Sequence, residues 1–302
     1  MQERVADLGW HHTPPIPVFC AQTSGFQGVF HVSVRELGST SLAHPVIETH
    51  PDSLVDLRLT RPFPELAAFA AKNYGADVTG VTLARNQAEF GNARIAANGL
   101  TSDQARILCL DYRDIPVRPG YYNKIVSLEM AEHVGIRHYS KFLSNVYDLL
   151  DDDGVFVFQV AGLRPRWQYW DLIWGLFMNK YIFPGADASC PLNWVINKLE
   201  NAGFEVRSCD VAGVHYSATI DRWLKNWRKN EEKVKAKYGE RLWRIWLFFL
   251  ASSILIAREG GSSVFQITVT KNLNATHRVE GVESHGNLLP RPNRGKTYSS
   301  VY

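Results

Sequence analysis

The sequence predicts an α/β protein built on a mainly parallel sheet with helices on both faces. Apolar strands and helices alternate from residue 65 to residue 270, a pattern typical of parallel sheets because crossover helices connect their strands. Two of these helices end at glycines, Gly75 and Gly99, as helices commonly do. One apolar strand runs directly into an acidic loop, which is where open α/β sheets bind their ligands.

Hydrophobic periodicity assigns the elements in chain order. Helical spacing is found in residues 66–74, 86–97 and 137–150, and in much of residues 219–257. The short apolar runs that indicate buried strands are residues 78–83, 106–110, 124–128, 155–160, Phe204–Val211 and 264–270. We therefore predict three parts: a poorly patterned N-terminal segment (residues 1–64), a folded domain (residues 65–273) and a polar, flexible C-terminal tail (residues 274–302).

Charge and cysteine content narrow the possible partners. The formal net charge is only +3 over 302 residues, so we predict no nucleic-acid binding. The cysteines Cys20, Cys109, Cys190 and Cys209 have no metal-binding spacing, and we expect neither a metal site nor a disulfide framework. No basic region followed by an apolar run opens the chain, which predicts no signal peptide. The sequence does not indicate an oligomeric state.

Aromatic residues are concentrated in the second half of the chain. Eight of the nine tryptophans lie between Trp167 and Trp246. Core packing, an apolar ligand tunnel and a membrane-facing surface are the alternatives for them. We expect the aromatic segment 167–183 to line a pocket for a lipid chain.

Two later segments raise the question of a membrane. Residues 242–257 are apolar, but Arg244 interrupts a run already shorter than the roughly 20 residues of a span, so we predict a buried or interfacial helix. Residues 222–244 hold nine Lys or Arg against three acidic residues, with Trp223, Trp227 and Trp243 interleaved. This composition favours contact with an anionic membrane surface, and a solvated helix is the alternative.

The acidic loop supplies the candidate chemistry. Residues 122–135 read Tyr-Asn-Lys-Ile-Val-Ser-Leu-Glu-Met-Ala-Glu-His-Val-Gly, so Glu129, Glu132 and His133 follow an apolar strand. A carboxylate in a dry cleft can orient a base or stabilise a developing cation. Glu132 is our candidate for this role, and its alternative role is to cap a helix.

Four separated motifs together resemble the cyclopropane fatty-acid synthase superfamily of S-adenosylmethionine-dependent methyltransferases. They are Gly-Val-Thr-Leu-Ala-Arg-Asn-Gln at residues 80–87, Asp-Tyr-Arg-Asp at 111–114, Glu-Met-Ala-Glu-His-Val-Gly at 129–135, and His-Tyr at 215–216 with Asp-Arg-Trp at 221–223. Residues 158–163 and 179–187 are similar, within it, to the fungal sphingolipid methyltransferases. The resemblance implies a class I methyltransferase fold, Rossmann-like with an antiparallel last strand, and an aromatic-rich helical insertion.

The resemblance also implies a cofactor, S-adenosyl-L-methionine, and its site. The matching positions in the turn after the strand at 78–83 are Thr82, Leu83, Ala84, Arg85, Asn86 and Gln87. After the next strand, Tyr112 and Arg113 match residues that lie beside the adenine, and Tyr112 offers a face for stacking.

Glu132, Tyr216 and Gln159 are the catalytic residues that the resemblance implies. Methyl transfer to an alkene creates a carbocation, which must then lose a proton. In the cyclopropane synthases, a glutamate matching Glu132 and a tyrosine matching Tyr216 help to hold a bicarbonate ion that accepts this proton. Gln159 stands where those enzymes have a histidine, and it carries no titratable proton, so use of bicarbonate is left open.

One expected feature is missing. The family has a glycine-rich loop of the type Asp-x-Gly-x-Gly-x-Gly before the helix at 66, whereas residues 57–65 contain no glycine and include Pro62 and Pro64, which lack N–H donors. Two functions are therefore carried forward. One is C-methylation of the long-chain base of a sphingolipid (a ceramide or glucosylceramide) at a membrane surface. The resemblance implies that this membrane is the endoplasmic reticulum. The other is a catalytically impaired remnant that retains lipid or membrane binding.

A third function, methylation of a small soluble acceptor, fits the predicted sheet but not the aromatic second half of the chain.

Overall fold

The computed structural model describes residues 28–33, 63–116, 119–166 and 168–273. The strands of these ranges are β1 (Gly28–Ser33), β2 (Asp77–Thr82), β3 (Ala105–Cys109), β4 (Tyr122–Leu128), β5 (Leu150–Leu163), β6 (Phe204–Val211) and β7 (Ser262–Lys271). The helices are α1 (Phe63–Tyr74), α2 (Arg85–Ala97), α3 (Ala131–Val134), α4 (Tyr139–Leu149), α5 (Tyr169–Phe177), α6 (Leu192–Asn201), α7 (Gly213–Lys229), α8 (Glu231–Tyr238) and α9 (Glu240–Arg258). A 3-10 turn (Tyr112–Asp114) and a π-helical turn (Met178–Ile182) complete them.

The strands form one sheet in the order β3-β2-β1-β4-β5-β7-β6. The pairs β2–β3 and β4–β5 are parallel, and β7 runs antiparallel to both β5 and β6. The strands β2 to β6 thus share one direction, which confirms the predicted mostly parallel sheet with its antiparallel last strand. Because parallel strands end at the same edge, the carboxyl ends of β2, β3, β4 and β5 lie along one side of the molecule, where a ligand cleft is expected.

Strand β1 lies inside the sheet, between β2 and β4, and runs antiparallel to both neighbours. Gly28 pairs with Thr82 of β2, and Val29 pairs with Ser127 of β4. Sequence periodicity did not indicate this strand, because residues 28–33 form neither a continuous apolar run nor a sustained alternation. A run of β-branched and aromatic residues satisfies the two strand edges that would otherwise remain unpaired. As a result, β1 begins, rather than ends, at the cleft edge.

The glycine-free stretch lies mostly outside the described residues, which resume at Phe63. Pro64 belongs to the first turn of α1, where a backbone N–H has no acceptor within the helix and its loss costs little. That proline therefore removes no useful helical hydrogen bond. The division of the chain after residue 64 stays a prediction, as does the flexible tail, since residues 274–302 are not described either.

The aromatic rings of α7 lie in the core. Trp223 and Trp227 are 6% and 2% exposed and pack in one cluster with Trp246 and Phe249 of α9. The prediction that these tryptophans face a membrane is wrong, because α7 packs against α9 and turns its aromatic face inward, leaving its basic residues outside.

Helix α9 contains the apolar run that raised the question of a span. Trp246, Phe249, Leu250 and Ile254 bury one face of it, which confirms the prediction of a buried helix. Within the described ranges, none of the helices combines the length and apolarity that a bilayer crossing requires.

Candidate active site

Two glutamates lie where β4 ends at the cleft edge. Glu129 follows β4 directly, and Glu132 lies in the short helix α3. Both side chains are buried, although a carboxylate is among the groups most costly to remove from water. Two buried carboxyl groups so close together indicate a functional site rather than a structural one.

Hydrogen bonds tie Glu132 to the neighbouring strand and to a loop. Its Oε1 accepts a hydrogen bond of 2.6 Å from the backbone N–H of Ala161 in β5. Its backbone carbonyl accepts one of 2.8 Å from the N–H of Asp187. The other carboxylate oxygen, Oε2, is buried without a hydrogen-bond partner among the described residues. The carboxylate bond to Ala161 therefore fixes the side chain against β5 and leaves one oxygen for a ligand.

A second polar group, centred on Gln159, adjoins the glutamates. The Nε2 of Gln159 donates to Glu129 Oε1 at 2.9 Å and to the Tyr216 hydroxyl oxygen at 3.1 Å. Its Oε1 accepts a hydrogen bond from Gln266 on β7 at 3.2 Å, so the amide cannot turn over without losing partners. The structure thus brings Gln159 into contact with Glu129 and Tyr216, both of which line the same cavity as Glu132.

Burial controls the ionisation of the acidic pair. Loss of solvent raises the pKa of Glu129, and the hydrogen bond from Gln159 opposes that rise. The pKa of Glu132 is also raised, first by burial and then by the negative charge of Glu129. His133 loses solvent too, which lowers the pKa of its imidazole. A pair of this kind retains a proton under conditions in which ordinary glutamates are ionised.

The acidic pair lines a cavity of about 650 Å³, a size typical of small-molecule sites. Its remaining walls are mainly apolar and come from the insertion after β5 and from α7 and α9. The largest apolar side chains lining it are Leu163, Leu172, Trp174, Met178, Phe183 and Phe249. Trp174 therefore lies where the sequence predicted, whereas Phe177 packs against Phe248 with ring centroids 5.0 Å apart.

The predicted cofactor residues form a second cluster at the same sheet edge. The Thr82 hydroxyl donates to Gln87 Oε1 at 2.9 Å, which closes the turn between β2 and α2. Leu83 is 41% exposed there, and the half-buried Tyr112 packs edge-on against Phe142. Uncovered apolar surfaces at neighbouring strand ends fit the nucleoside half of S-adenosylmethionine. Arg113 is paired with Asp111 at 2.6 Å.

Sequence analysis missed a buried ion pair beside the cavity. Arg164 at the end of β5 contacts Asp171 of α5 at 2.9 Å, and Asp171 also accepts from the backbone N–H of Gln168 at 2.6 Å. Only the Gln168 interaction has a signal in the sequence, since an acidic residue three positions after a helix start is typical of a capping box. Gln266, which orients Gln159, had no signal.

The strand order and the acidic, apolar-walled cleft at the strand ends define a domain with the class I methyltransferase fold. Residues 63–267 match the family described as mycolic acid cyclopropane synthetase. The chain therefore belongs to that family.

Individual proteins support the same assignment. The chain is 59% identical over 240 residues to sphingolipid C9-methyltransferase 2 of Gibberella zeae, covering 80% of this chain and 46% of that protein. It is 61% identical over 223 residues to sphingolipid C9-methyltransferase A of Emericella nidulans, covering 74% and 43%. Among solved structures, it is similar to the mycolic acid cyclopropane synthase CmaA1 complexed with SAH and CTAB, with a TM-score of 0.61 and 25% identity over 67% of this chain and 73% of that one. The chain thus spans less than half the length of the two fungal relatives.

Proposed function

We propose that the chain transfers a methyl group from S-adenosylmethionine to a carbon of the long-chain base of a sphingolipid, the ninth carbon by analogy with the fungal relatives. The observation that carries this proposal is the buried pair Glu129 and Glu132 lining an apolar cavity. An apolar cavity suits a hydrocarbon chain, and buried carboxyl groups suit a reaction that passes through a cation. The names of the fungal relatives support the same acceptor.

Each predicted site residue has a role in this proposal. The carboxyl group of Glu132, whose Oε2 has no partner among the described residues, stabilises the positive charge that develops on the acceptor in this proposal, while Gln159 orients Glu129 and Tyr216 at the cavity wall. S-adenosylmethionine supplies an electrophilic methyl group when bound. The residues proposed to hold it are Thr82, Leu83, Ala84, Arg85, Asn86, Gln87, Tyr112 and Arg113.

The two alternatives have less support. A small soluble acceptor would not need the apolar walls contributed by Leu172, Trp174 and Phe183. An impaired remnant is not favoured by identities of 59% and 61% to proteins named as methyltransferases.

Trp174 provides the test of the proposed acceptor. Replacing this wall residue, Trp174→Ala, should raise the KM for a ceramide about tenfold, because the loss of apolar contacts in a pocket weakens binding of an apolar substrate by about that factor. Binding of S-adenosylmethionine, measured by calorimetry, should not change. Phe177→Leu, on the same helix but packed against Phe248, is the matched control and should leave the KM unchanged. Faster methylation of a short, soluble acceptor than of ceramide would contradict the proposal.

We also propose that α5 forms the contact with a membrane surface. The exposed side chains of α5 are almost all apolar: Tyr169, Trp170, Leu172, Ile173 and Leu176. Arg166 and Lys180, both exposed, flank the helix, while the single acidic residue of α5, Asp171, is buried against Arg164. Aromatic rings beside basic groups favour an anionic interface. Because Leu172 and Leu176 also line the cavity, a lipid could pass from this face into the site.

Removing the two exposed rings of α5, Tyr169→Ser with Trp170→Ser, should weaken binding to phosphatidylserine vesicles more than about tenfold, since burial of one aromatic side chain contributes about 1.5 kcal/mol or more. Vesicle sedimentation measures the effect. Tyr121→Ser, an exposed ring at the opposite end of β4, is the control and should bind as the unmodified chain does. Binding that is equally strong to neutral vesicles and in high salt would contradict the basic contribution. Association with the endoplasmic reticulum stays a prediction.

A further inference from the structure

Glu129 adopts a backbone conformation that glutamate rarely takes. Its φ angle is 53°, and it is the one non-glycine residue in the described ranges with a positive φ. This left-handed region is unfavourable for side chains with a Cβ, so residues found there are held by their surroundings and cluster at functional sites. Glycine would fit this backbone at no cost. The presence of a glutamate therefore needs a reason other than the turn.

Gln159 holds Glu129 from two directions. The backbone N–H of Glu129 donates to the carbonyl of Gln159 at 2.8 Å, and the side-chain amide of Gln159 donates to Glu129 Oε1 at 2.9 Å. Gln266 and Tyr216 fix that amide in turn. The carboxylate is thus rigidly placed at the wall of the cavity, which is the arrangement that a proton acceptor requires.

The two glutamates are not equivalent. Glu129 accepts a hydrogen bond from an amide that can only donate at that atom, which favours its charged form. Glu132 also accepts one hydrogen bond, from the N–H of Ala161, but its other oxygen is buried without a partner among the described residues, and the charge of Glu129 adds to burial in raising its pKa. When the pair holds a single proton, that proton therefore resides mainly on Glu132, and Glu129 remains the acceptor.

We propose that Glu129 is the catalytic base of the reaction, so that a carboxylate of the chain itself removes the proton from the methylated substrate. This inference rests on the proposed function. The π electrons of the acceptor alkene form the new bond to the methyl carbon, and the electrons of the broken S–CH3 bond remain on sulfur. Glu129 then takes the proton from the methylated carbon, and the electrons of that C–H bond restore the alkene.

The same geometry makes a separate anion unnecessary. The Nε2 atom of Gln159 lies 2.9 Å from Glu129 Oε1 and 3.1 Å from the Tyr216 hydroxyl oxygen, so the carboxylate of Glu129 is already bound there. A bicarbonate ion bound by these two side chains would offer the same carboxylate group to the substrate. Glu129 supplies it covalently, and this explains why a glutamate occupies a backbone position suited to glycine.

Chemical rescue tests the proposal. The full chain is assayed with S-adenosylmethionine and an unsaturated ceramide in bicarbonate-free buffer. Glu129→Gly vacates the space of the carboxylate and is compatible with the positive φ angle at this position. It should lower formation of methylated ceramide on the order of 100-fold, a typical contribution of a positioned base. Added formate should restore activity in a saturable manner. Glu129→Gln fills the same space with an amide, so it should be equally impaired and should not respond to formate.

A second readout does not depend on turnover. The titratable groups that line the cavity with Glu129 are Glu132, His133, Asp171, Asp187 and Tyr216. Burial raises the pKa of Glu129, so this carboxyl group costs the fold stability as pH rises through its folded-state pKa. Glu129→Gln should therefore raise the midpoint of thermal unfolding more at pH 8 than at pH 5. A midpoint lowered equally at both values would indicate a structural role and overturn the proposal.

The outcomes separate this proposal from the function on which it rests. An unmodified chain that methylates no ceramide overturns the proposed function, and the role of Glu129 with it. An active chain whose Glu129→Gly variant is equally active overturns the role of Glu129 alone. Dependence of the unmodified chain on added bicarbonate would do the same, because the proton acceptor would then be an external anion.

Discussion

Replacing Glu132 with glutamine is expected to lower turnover on the order of 100-fold or more, as loss of one aligned electrostatic contact does in other enzymes. The glutamine Oε1 must accept the hydrogen bond from Ala161 that Glu132 Oε1 accepts at 2.6 Å. Its NH2 group then takes the position of Oε2, which is buried without a partner among the described residues. A carboxyl oxygen has lone pairs there whether or not it is protonated, whereas the NH2 group presents only hydrogens to the developing cation.

Initial rates of S-adenosylhomocysteine formation with ceramide measure this effect, and calorimetry measures binding of S-adenosylmethionine, which should be retained. Glu205→Gln is the matched control, because it removes a carboxylate that pairs with Arg207 on β6 outside the cavity. Undiminished turnover in Glu132→Gln would reduce Glu132 to a residue that holds α3 against β5.

Breaking the ion pair between Arg164 and Asp171 should lower the free energy of unfolding far more than breaking a surface ion pair does. Asp171 is 5% exposed, and the Arg164 side chain is 30% exposed. In Arg164→Met, Asp171 keeps the N–H of Gln168 but loses its cation, and an uncompensated buried charge costs about 3 kcal/mol. Because α5 forms a cavity wall, ceramide binding should weaken as well.

Urea denaturation of three variants tests the ion pair. The double variant Arg164→Met with Asp171→Leu should regain most of the lost stability, because removing both charges leaves no unpaired ion. Lys225→Ala breaks a surface pair in which Lys225 is 73% exposed, and it should cost less than about 0.5 kcal/mol. An Arg164→Met variant as stable as Lys225→Ala would show that Asp171 needs no partner.

The elements of the sheet could be predicted from the sequence because each has a local signal. Helix α1 ends at Tyr74 before Gly75, whose φ is 62°, and β6 has the predicted bounds. Strand β5 is longer than predicted because Leu150 pairs with Tyr122 of β4 and residues 161–163 pair with β7. β1 was missed because its six residues are held by strand pairing on both sides rather than by a pattern of their own.

The candidate site was predictable to the extent that its residues follow strands. Glu129 and Glu132 follow β4, so their place at the cleft was visible in the sequence. Their partners were not, because Gln159 and Gln266 lie 107 positions apart and meet only through the antiparallel pairing of β5 with β7. The direction of the tryptophan rings on α7 was also open, since helical spacing shows that a face is apolar but not what covers it.

The sequence by itself determined the α/β class, the order of most elements, and the residues that meet the cleft edge, because strand and helix signals are local and parallel strands share one edge. Only the tertiary structure decided that β1 lies between β2 and β4 and runs in the opposite direction. It also decided that the side chain of Gln159 binds Glu129. The exposed aromatic rings of Tyr169 and Trp170 were likewise assigned to α5 only by the structure. Strand pairing, burial and the choice between two carboxyl groups depend on contacts between residues far apart in the chain, and local patterns do not encode them.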